Sequence, residues 1–373
     1  MRIGILTLAS PDSGGVFQYS LSLIEAIEFI SNKYEFIQIR YEDFPKLLKK
    51  DIIIEKQRLS LSLKLKMAAH AILGLKIGTF TLNLDVDFII SPVITLLPYY
   101  IGKPYIVSIH DFQHEYFPEF FTLKERIGRK INYKTGQKAN MVICESNYVK
   151  QDIMKFLNVP EEKIKVLPSP PPSYIQKTRI DENILKEVKE KYKLPDNFLF
   201  YPANFWYHKN HLNLIRALKF IKDRYGIEIP LVLIGSKKNN FENVMKEIQN
   251  LELSQQVKYL GYVPNKDVPY LYKLATALVV PSLFESVSIP IWEAFYLGCP
   301  VISSNVCALP EQVGNAGLLF DPHNIEDMAE KIYIVWTDTK MRENLVQKGA
   351  ERVKDLTIEN YGKQWEKILE EVL

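Results

Sequence analysis

The sequence predicts an α/β protein made of two Rossmann-like, doubly wound domains that face each other across a cleft. Three observations predict this fold. Short apolar runs alternate with amphipathic stretches from the start of the chain, a proline-rich run at 168–173 interrupts the alternation, and the alternation then begins again. Two successive strand–helix cycles of similar size are typical of two open parallel sheets, each covered by helices on both faces.

The first cycle contains six runs that are rich in branched apolar residues and almost continuously apolar. Such continuity is expected of parallel strands buried on both faces, because neither side of the strand meets water. The predicted strands are 3–8, 36–39, 88–90, 105–109, 141–144 and 164–167. Helices are predicted between them, including 16–29 and 123–137.

The run 168–173 reads Pro-Ser-Pro-Pro-Pro-Ser and is predicted to connect the two domains. Consecutive prolines fit neither a helix interior nor a central strand. A charged helix at about 183–193 follows. Leu214, Leu218 and Ile221 then repeat at helical spacing, which predicts a helix between the first two strands of the second cycle. The predicted strands of this cycle are 198–201, 231–234, 257–260, 277–280 and 300–303.

These signals divide the chain into domains of 1–170 and 171–355, and the last helix, about 356–373, is free to pack back on the first domain. A chain of 373 residues suits two domains of ordinary size. Its composition, 47% apolar and 24% charged, is that of a soluble globular protein. A net charge of +3 without a concentrated basic stripe argues against nucleic-acid binding.

The three cysteines, Cys144, Cys299 and Cys307, are widely spaced and form no Cys-x-x-Cys pair. We therefore expect neither a zinc site nor a disulfide framework, and a reducing compartment. The N-terminus passes directly into a strand pattern, without the apolar core of a signal peptide. No stretch approaches the roughly 18 uninterrupted apolar residues that a membrane span needs. These features predict a cytoplasmic protein.

The segment 281–294 carries two glutamates, Glu285 and Glu293, in a predicted strand–loop–helix turn. Pro290 suits the first turn of that helix and Gly298 suits its end. Free N–H groups at the start of a helix form a natural seat for a diphosphate, and carboxylates nearby can accept hydrogen bonds from sugar hydroxyls. The alternative is that both glutamates are helix-dipole or surface residues.

A second polar segment, 201–211, lies between a predicted strand end and a predicted helix start and contains Lys209. Acidic residues are favoured at a helix N-terminus, because the positive end of the helix dipole lies there. A lysine at this position is better explained if an anion lies opposite it. The alternative is a solvated lysine with no ligand.

Two segments of the first predicted domain place candidate residues at strand ends, where open α/β sheets bind ligands. Gly14 and Gly15 follow the first strand, and paired glycines let the backbone approach a phosphate closely. His110 follows a later strand and is the candidate for contacting the reacting groups, with Asp111 or His114 serving a second substrate. A simple turn and structural hydrogen bonding are the alternatives.

The segment 285–293 resembles the Glu-x7-Glu signature of the retaining glycosyltransferases of family 4, which adopt the two-domain GT-B fold. Residues 310–322 resemble the family's next segment, and nearly the whole chain follows the family's order. The resemblance implies that Glu285 holds hydroxyls of the donor sugar and that Glu293 binds the ribose. It also implies that Lys209 binds the donor diphosphate.

The chain departs from the family pattern at two places. Ser286-Val287-Ser288 stands where the family usually has Gly-Phe-Gly, so backbone N–H donors remain but the conformational freedom of glycine is lost. The arginine that usually accompanies the family's lysine is also missing. Asn204 lies in its neighbourhood, and His208 is the candidate for replacing its charge, although a histidine is only partly charged near neutral pH.

The resemblance implies transfer of a hexose from a nucleoside-diphosphate sugar to a hydroxyl of a glycan or lipid-linked glycan, with retention at the anomeric carbon. The first domain is expected on the acceptor side, with Asp111 and His114, and the second is expected to bind the donor. The catalytic candidates are Lys209, His110 and Glu285. No metal or other cofactor is expected. The expected donor-binding residues are Gly14, Gly15, Asn204, His208, Lys209, Glu285, Ser286, Val287, Ser288 and Glu293.

Two other functions fit the same architecture. One is a nucleotide-sugar epimerase, which needs no acceptor, and the other is a non-catalytic protein that binds nucleotide-sugars. A dehydrogenase is disfavoured, because no Gly-x-Gly-x-x-Gly follows the first strand of either domain. The string 204–211 resembles mannosyltransferase-like members that make surface polysaccharides, which favours GDP-mannose over UDP-glucose and other donors.

Two further segments have competing interpretations. Asp85-Val86-Asp87 has the Asp-x-Asp form of metal-dependent glycosyltransferases of another fold, but it directly precedes a strand, so we expect a structural role. The stretch Lys46–Lys76 carries eight basic side chains among leucines. It is either a solvated face or a contact with an anionic membrane, which would place the protein at the inner face of the membrane.

Overall fold

The computed structural model of the protein describes residues 1–11, 14–54, 61–73 and 84–373. The chain forms two compact units. The first contains residues 1–170 together with 358–373, and the second contains residues 171–357.

The described residues of the first unit form a parallel sheet of seven strands. These are β1 (Arg2–Thr7), β2 (Glu35–Arg40), β3 (Asp51–Ile53), β4 (Phe88–Ser91), β5 (Tyr105–Ser108), β6 (Met141–Cys144) and β7 (Ile164–Val166). Their order is β3-β2-β1-β4-β5-β6-β7. Ile89 and Val107 pack into one apolar core, whereas Ile90 and Ile106 pack into a second core on the other face. Burial of both faces explains why the strands are continuously apolar.

Two helices of the first unit, 123–138 and 147–157, begin after a side chain that accepts from a free backbone N–H, Thr122 and Ser146 respectively. The side chain of Thr122 accepts from the backbone N–H of Glu125, and the Glu125 carboxylate accepts from the N–H of Thr122, which forms a capping box. The helices are α1 (Gly15–Ala26), α2 (Leu61–Leu73), α3 (Leu97–Ile101), α4 (Gln113–Tyr116), α5 (Leu123–Lys138) and α6 (Asn147–Leu157).

The second unit has a parallel sheet of six strands in the described residues. These are β8 (Leu199–Pro202), β9 (Leu231–Ile234), β10 (Val257–Tyr259), β11 (Ala277–Val280), β12 (Val301–Ser304) and β13 (Gly317–Phe320). Their order is β10-β9-β8-β11-β12-β13. Phe200 and Leu199 point into two different apolar cores, so this sheet is also covered on both faces.

Two helices of the second unit show how the sequence sets where a helix begins or ends. Asp181 caps one of them by accepting from the backbone N–H of Asn183 at 2.8 Å, and Gly298 ends another in the left-handed conformation, with φ 71°. They are α7 (Ser173–Gln176), α8 (Glu182–Lys191), α9 (His211–Tyr225), α10 (Phe241–Asn250), α11 (Val268–Leu274), α12 (Ile289–Leu297), α13 (Leu309–Val313), α14 (Ile325–Thr337) and α15 (Thr339–Val353).

The last helix, α16 (Ile358–Val372), belongs to the first unit and packs against α1. Its Trp365 and Leu369 are fully buried in the same apolar core as Leu23. A Cβ added at Gly362 would lie 2.3 Å from the carbonyl oxygen of Ala26. Glycine at this position is therefore what allows the two helices to approach each other so closely.

The predicted architecture of two Rossmann-like, doubly wound α/β domains is confirmed. Two edge strands, β3 and β13, were not predicted. The strand β3 has only three residues and begins with Asp51, which gives it little apolar signal. The strand β13 begins with Gly317, where a Cβ would lie 2.7 Å from the carbonyl oxygen of Val301. Because β12 lies so close, only glycine fits at position 317, and this glycine weakens the apolar pattern by which a strand is predicted.

Asp85 and Asp87 have the structural role expected of them. The backbone N–H of Arg2 donates to Asp87 at 2.8 Å, and the Arg2 guanidinium pairs with Asp85. In the described ranges, no group of three metal-binding side chains occurs.

The basic stretch Lys46–Lys76 is only partly described. Lys46 pairs with Asp51 at 2.7 Å, and Lys50 pairs with Glu35. Lys56, Arg58 and Lys76 lie outside the described residues. Among the helices that the structure describes, none is long and apolar enough to cross a membrane.

In each sheet, the strand that comes first along the chain lies between the strand that follows it in sequence and a later strand. Thus β1 lies between β2 and β4, and β8 lies between β9 and β11. Connections from two such neighbouring strands run to opposite faces of the sheet, which leaves a crevice at their carboxyl ends. Open α/β sheets bind ligands at this position, which is where we expect the candidate residues to lie.

Candidate functional site

The loops that follow β8 and β11 meet at the carboxyl edge of the second sheet, and they carry Lys209 and Glu285. Asn210 ties these loops together, because its side-chain amide donates to the carbonyl oxygens of Pro281 at 2.9 Å and Pro322 at 3.0 Å. Asn210 has a left-handed conformation, with φ 56°, immediately before α9. Asparagine tolerates that conformation better than most residues.

Lys209 and Glu285 form an ion pair between the ammonium group and Oε1 of the carboxylate. Ser282 supports it by donating to the same carboxylate oxygen at 2.9 Å. The Tyr201 hydroxyl donates to the carbonyl oxygen of Lys209 at 2.9 Å, so the lysine backbone is fixed from the strand below. Lys209 keeps 22% of its side chain exposed, and Glu285 keeps 11%. A charged pair is therefore accessible at the predicted ligand position.

The segment Ser286-Val287-Ser288 does not need glycine in this chain. None of the three residues, which all lie in the described part of the chain, has a positive φ. Ser288 is held instead by Gln312, whose amide accepts from the Ser288 N–H at 2.9 Å and donates to its carbonyl at 2.8 Å. One N–H group at the start of α12 is thus already bonded, which leaves fewer backbone donors for an anion than the sequence predicts.

Glu293 lies inside α12 and is 4% exposed. Its Oε1 accepts from the hydroxyl of Tyr174 at 2.5 Å, and its Oε2 accepts from the hydroxyl of Tyr272 at 2.6 Å. Burial raises the pKa of this carboxyl group, and the two phenols partly offset that effect. A ribose that binds Glu293 must therefore compete with a tyrosine hydroxyl.

Two other donor-side candidates are Asn204 and His208. The side-chain oxygen of Asn204 accepts from the backbone N–H of Ser236 at 2.8 Å. His208 was expected to replace the missing cation, and the structure corrects this. Burial, with help from the nearby charge of Lys209, lowers the pKa of His208 to about 3, so the ring is neutral at pH 7. Lys209 is then the positive group that the structure places against Glu285.

The glycine pair of the first unit lies at the start of α1. Gly14 has φ 59° and ψ −118°, and a Cβ there would meet nothing within 4 Å. Backbone conformation, and not crowding, is thus the reason for glycine at this position. The preceding residues, Asp12 and Ser13, lie outside the described residues.

His110 lies just beyond β5 with both ring nitrogens engaged. Its Nε2 is 2.9 Å from the carbonyl oxygen of Pro92, and its Nδ1 is 3.3 Å from Oε2 of Glu145. The adjacent Asp111 pairs with Arg129 at 3.3 Å. His110 therefore has a defined orientation in which neither nitrogen is free.

The structure corrects the expectation that His114 contacts an acceptor. The side chain is 2% exposed and packs against the rings of Phe112 and Tyr133. Burial, together with the charge of Arg129, lowers its pKa. His114 is a core residue, because its ring packs with those of Phe112 and Tyr133.

Several residues at these positions were not found from the sequence. Glu145 and Ser282 follow strand ends, so the rule that selected His110 was available for them as well. Tyr174 and Tyr272 lie in unrelated helical patterns and carry no local signal. The residues not predicted are Glu145, Ser169, Tyr174, Tyr201, Asn210, Tyr272, Ser282 and Gln312.

Two family models match the chain. Residues 68–170 match the model described as Glycosyltransferase Family 4, and residues 184–352 match the model described as Glycosyl transferases group 1. The matched ranges fall in the first and second unit respectively.

The curated relatives of the chain are also named as glycosyltransferases. The chain is 28% identical over 259 residues to O-antigen chain mannosyltransferase B of Escherichia coli, a match that covers 68% of this chain and 67% of the relative. It is 30% identical over 216 residues to O-antigen chain mannosyltransferase RfbU of Salmonella typhimurium, which covers 58% of this chain and 56% of the relative. The second match thus spans little more than half of that relative's length.

A solved structure resembles the fold over its whole length. Anabaena HepE, crystallised in complex with UDP-glucose, superimposes with a TM-score of 0.77 at 19% identity and covers 100% of both chains. At this identity the likeness concerns the fold alone. With its two Rossmann-like units and both family models in chain order, the chain is a GT-B glycosyltransferase of the family 4 type.

Proposed function

We propose that the protein is a retaining hexosyltransferase that moves mannose from a nucleoside-diphosphate donor to a hydroxyl of a glycan or lipid-linked glycan. The product would belong to a surface polysaccharide. The names of the relatives support this proposal, since two of them are O-antigen mannosyltransferases. The observation that carries it is the ion pair of Lys209 and Glu285 beside the switch point of the second sheet.

The pair supplies the two kinds of group that a nucleotide-sugar needs. Lys209 is a partly exposed ammonium that can move from Glu285 to the donor diphosphate. The released Glu285 carboxylate can then accept hydrogen bonds from hydroxyls of the sugar. Ser282, which donates to Glu285 at 2.9 Å, keeps the carboxylate in place during this exchange. The two charges therefore hold neighbouring parts of one donor.

The proposed reaction breaks the bond between the anomeric carbon and the diphosphate oxygen. The electron pair goes to that oxygen, and the acceptor oxygen forms its bond to the anomeric carbon on the same face of the sugar. The acceptor proton passes to the leaving phosphate. Lys209 and the positive end of α12 stabilise the developing charge, so we propose that no metal is needed.

The test is to incubate the protein with GDP-mannose, UDP-glucose and other nucleotide-sugars, with a lipid-linked glycan acceptor and EDTA. We expect acceptor-dependent release of nucleoside diphosphate and a product with the donor's anomeric configuration. Sugar interconversion without an acceptor would indicate an epimerase, and binding without turnover would indicate a non-catalytic protein. Loss of all activity in EDTA would contradict the metal-independent scheme.

The matched variants are K209A and K186A. Lys209 lies in the site, whereas Lys186 is an exposed lysine of α8. We expect K209A to lower kcat by about 100-fold or more, the size of effect seen when one preorganised donor to a developing oxyanion is removed. K186A should retain the wild-type rate. Equal rates for both variants would remove Lys209 from the mechanism.

A further inference from the structure

Two consecutive aromatic side chains lie exposed on the loop that carries Lys209. Trp206 and Tyr207 keep 39% and 42% of their surface exposed. The Lys209 N–H donates to the carbonyl oxygen of Trp206 at 3.0 Å. The carbonyl oxygen of His208 accepts from the N–H of Leu283, in the loop after β11, at 2.7 Å. The two rings are therefore fixed beside Lys209, at the same edge of the sheet as its ion pair.

The backbone of this loop is held by the loop that follows β9. The N–H of Phe205 donates to the carbonyl oxygen of Ser236 at 3.1 Å, and the carbonyl oxygen of Phe205 accepts from the N–H of Asn240 at 3.0 Å. The N–H of Tyr207 donates to the side-chain oxygen of Asn239 at 3.2 Å. Phe205 itself is fully buried, so the chain is anchored in the core immediately before the two exposed rings. Rings presented from a fixed backbone lose little conformational freedom when a ligand packs on them.

Two lysines of the loop after β9 make this surface positively charged. The Lys238 ammonium lies 5.3 Å from the centre of the Trp206 ring, and the Lys237 ammonium lies 4.7 Å from that of Phe241. Among the residues that the structure describes, neither lysine pairs with a carboxylate. An aromatic ring attracts an exposed cation only weakly, so both ammonium groups remain available to an anion. The aromatic–lysine surface, formed by these two lysines with Trp206 and Tyr207, therefore suits a ligand that has a flat apolar face and a negative charge.

The position of this surface separates it from the donor nucleotide. In the proposed complex the donor extends from Lys209 and Glu285 toward Glu293, which lies in α12, the helix after β11. The sheet order places β8 between β9 and β11. The loop after β9, with Lys238, is therefore on the far side of β8 from Glu293. An acceptor whose hydroxyl reaches the sugar at Glu285 can extend over the aromatic–lysine surface without meeting the nucleotide.

We propose that the aromatic–lysine surface binds the acceptor, and that the acceptor is a sugar that carries a phosphoryl group. One face of a hexose ring consists mainly of C–H groups and packs on the indole of Trp206, while the hydroxyl groups stay in water. The phosphoryl group pairs with Lys238, which then leaves the Trp206 ring. A free sugar phosphate and a lipid-linked glycosyl diphosphate share this chemistry. The catalytic part rests on the proposed sugar transfer, whereas acceptor binding is measured without it.

Calorimetric titration of the full chain, saturated with GDP or UDP, tests the binding. The probes are decyl mannosyl diphosphate, mannose 1-phosphate and decyl mannoside, which lacks a phosphoryl group. We expect decyl mannosyl diphosphate to bind roughly tenfold more tightly than decyl mannoside, because a hydrogen bond to a charged group contributes more than one between neutral groups. Tighter binding of this diphosphate than of mannose 1-phosphate would identify the lipid-linked form, and equal binding would identify the sugar phosphate. A diphosphate that binds no more tightly than the mannoside would overturn the proposal.

Variants assign the binding to particular side chains. W206A should weaken binding of decyl mannosyl diphosphate about 5- to 30-fold, the effect of truncating an aromatic anchor, and leave nucleotide affinity unchanged. W206F keeps a ring and should lose less, and K238A should remove the advantage of the diphosphate over the mannoside. Y225A, which truncates an exposed tyrosine at the end of α9, and K186A should change neither affinity. Loss of nucleotide affinity in W206A with unchanged acceptor binding would show that the ring packs on the nucleobase, against the proposal.

Transfer kinetics test the same side chains in catalysis. With saturating donor, we expect W206A and K238A to raise the KM for the acceptor and to keep the wild-type kcat, whereas K209A lowers kcat. A wild-type KM for the acceptor in both variants would overturn the catalytic part. If W206A does not fold, W206F and K238A still show whether acceptor binding depends on this surface. A wild-type protein that binds decyl mannosyl diphosphate but transfers no sugar overturns the proposed function, whereas the titrations still decide what the surface binds.

Discussion

Tyr174 donates a hydrogen bond of 2.5 Å to Glu293, which links the first helix after the proline-rich connector to the middle of α12. Tyr272, the other partner of Glu293, is fully buried in α11, whereas Tyr174 is only partly buried. If Glu293 binds the ribose, as the resemblance to family 4 implies, the ribose hydroxyls compete with these phenols. Tyr174 is the partner that can move away at lower cost.

Removing the Tyr174 hydroxyl is expected to tighten nucleotide binding. In Y174F the ring still packs, but one acceptor oxygen of Glu293 becomes available to the ribose. One hydrogen bond contributes about 0.5–1.5 kcal/mol, so affinity for a nucleoside diphosphate should rise about 2- to 12-fold in calorimetric titrations. The 2′- and 3′-deoxy analogues should gain less.

The control for this variant is Y296F. The Tyr296 hydroxyl donates to the carbonyl oxygen of Gln176 at 3.1 Å, in the same region but away from Glu293. We expect it to leave nucleotide affinity unchanged. Equal affinities of Y174F for ribose and deoxyribose nucleotides, at the wild-type level, would show that Glu293 has a structural role only.

Replacing Glu285 should separate sugar binding from diphosphate binding. In E285Q the carboxylate that pairs with Lys209 is lost. Hydrogen bonds to charged groups contribute about 1.5–3 kcal/mol, so kcat/KM should fall about 10- to 150-fold. The free nucleoside diphosphate should inhibit at least as well as before, because the ammonium no longer has an internal partner.

The measurements for E285Q are initial rates and the product inhibition constant, with E187Q as the control on an exposed glutamate of α8. A parallel loss of catalysis and product binding would contradict the assignment of Glu285 to the sugar.

Acid should destabilise the second unit through His211. Burial lowers the pKa of this histidine to about 3, against an ordinary value of about 6.5. The unfolded chain therefore takes up a proton below pH 6.5 that the folded chain refuses. The free energy of unfolding is highest above that pH and falls toward pH 3, by at most about 1.4 kcal/mol per pH unit for this group.

Urea unfolding at several pH values between about 7.5 and 4.5 measures that slope. We expect H211Q to be less stable at neutral pH but to lose less stability on acidification. H323Q, which changes an exposed histidine, should keep the wild-type slope. A slope unchanged in H211Q would show that other groups cause the acid sensitivity.

The last helix should be necessary for the stability of the first unit. Trp365 is fully buried between α16 and the first sheet. Truncating such a side chain typically costs about 3–5 kcal/mol, so W365A should lower the free energy of urea unfolding of the first unit by that order. K367A changes an exposed residue of the same helix and should have little effect. A loss below about 1 kcal/mol would indicate that α16 packs loosely.

The sequence was most informative where the signal is local. Proline spacing marked the boundary at residue 170, and continuous apolar runs marked most strands, because a buried parallel strand must be apolar on both faces. Lys209 and Glu285 were each found from their position after a strand. Their direct contact was not predictable from either segment, since they are 76 residues apart and meet only because β8 and β11 are neighbours.

The sequence by itself therefore determined the two α/β units, the connector between them and the strand ends that carry polar side chains. Only the tertiary structure decided the partners and charges of those side chains. It pairs Glu293 with two tyrosines, places Glu145 against His110 and makes His208 neutral. Strand order and burial produce these results, and both depend on residues that are distant along the chain.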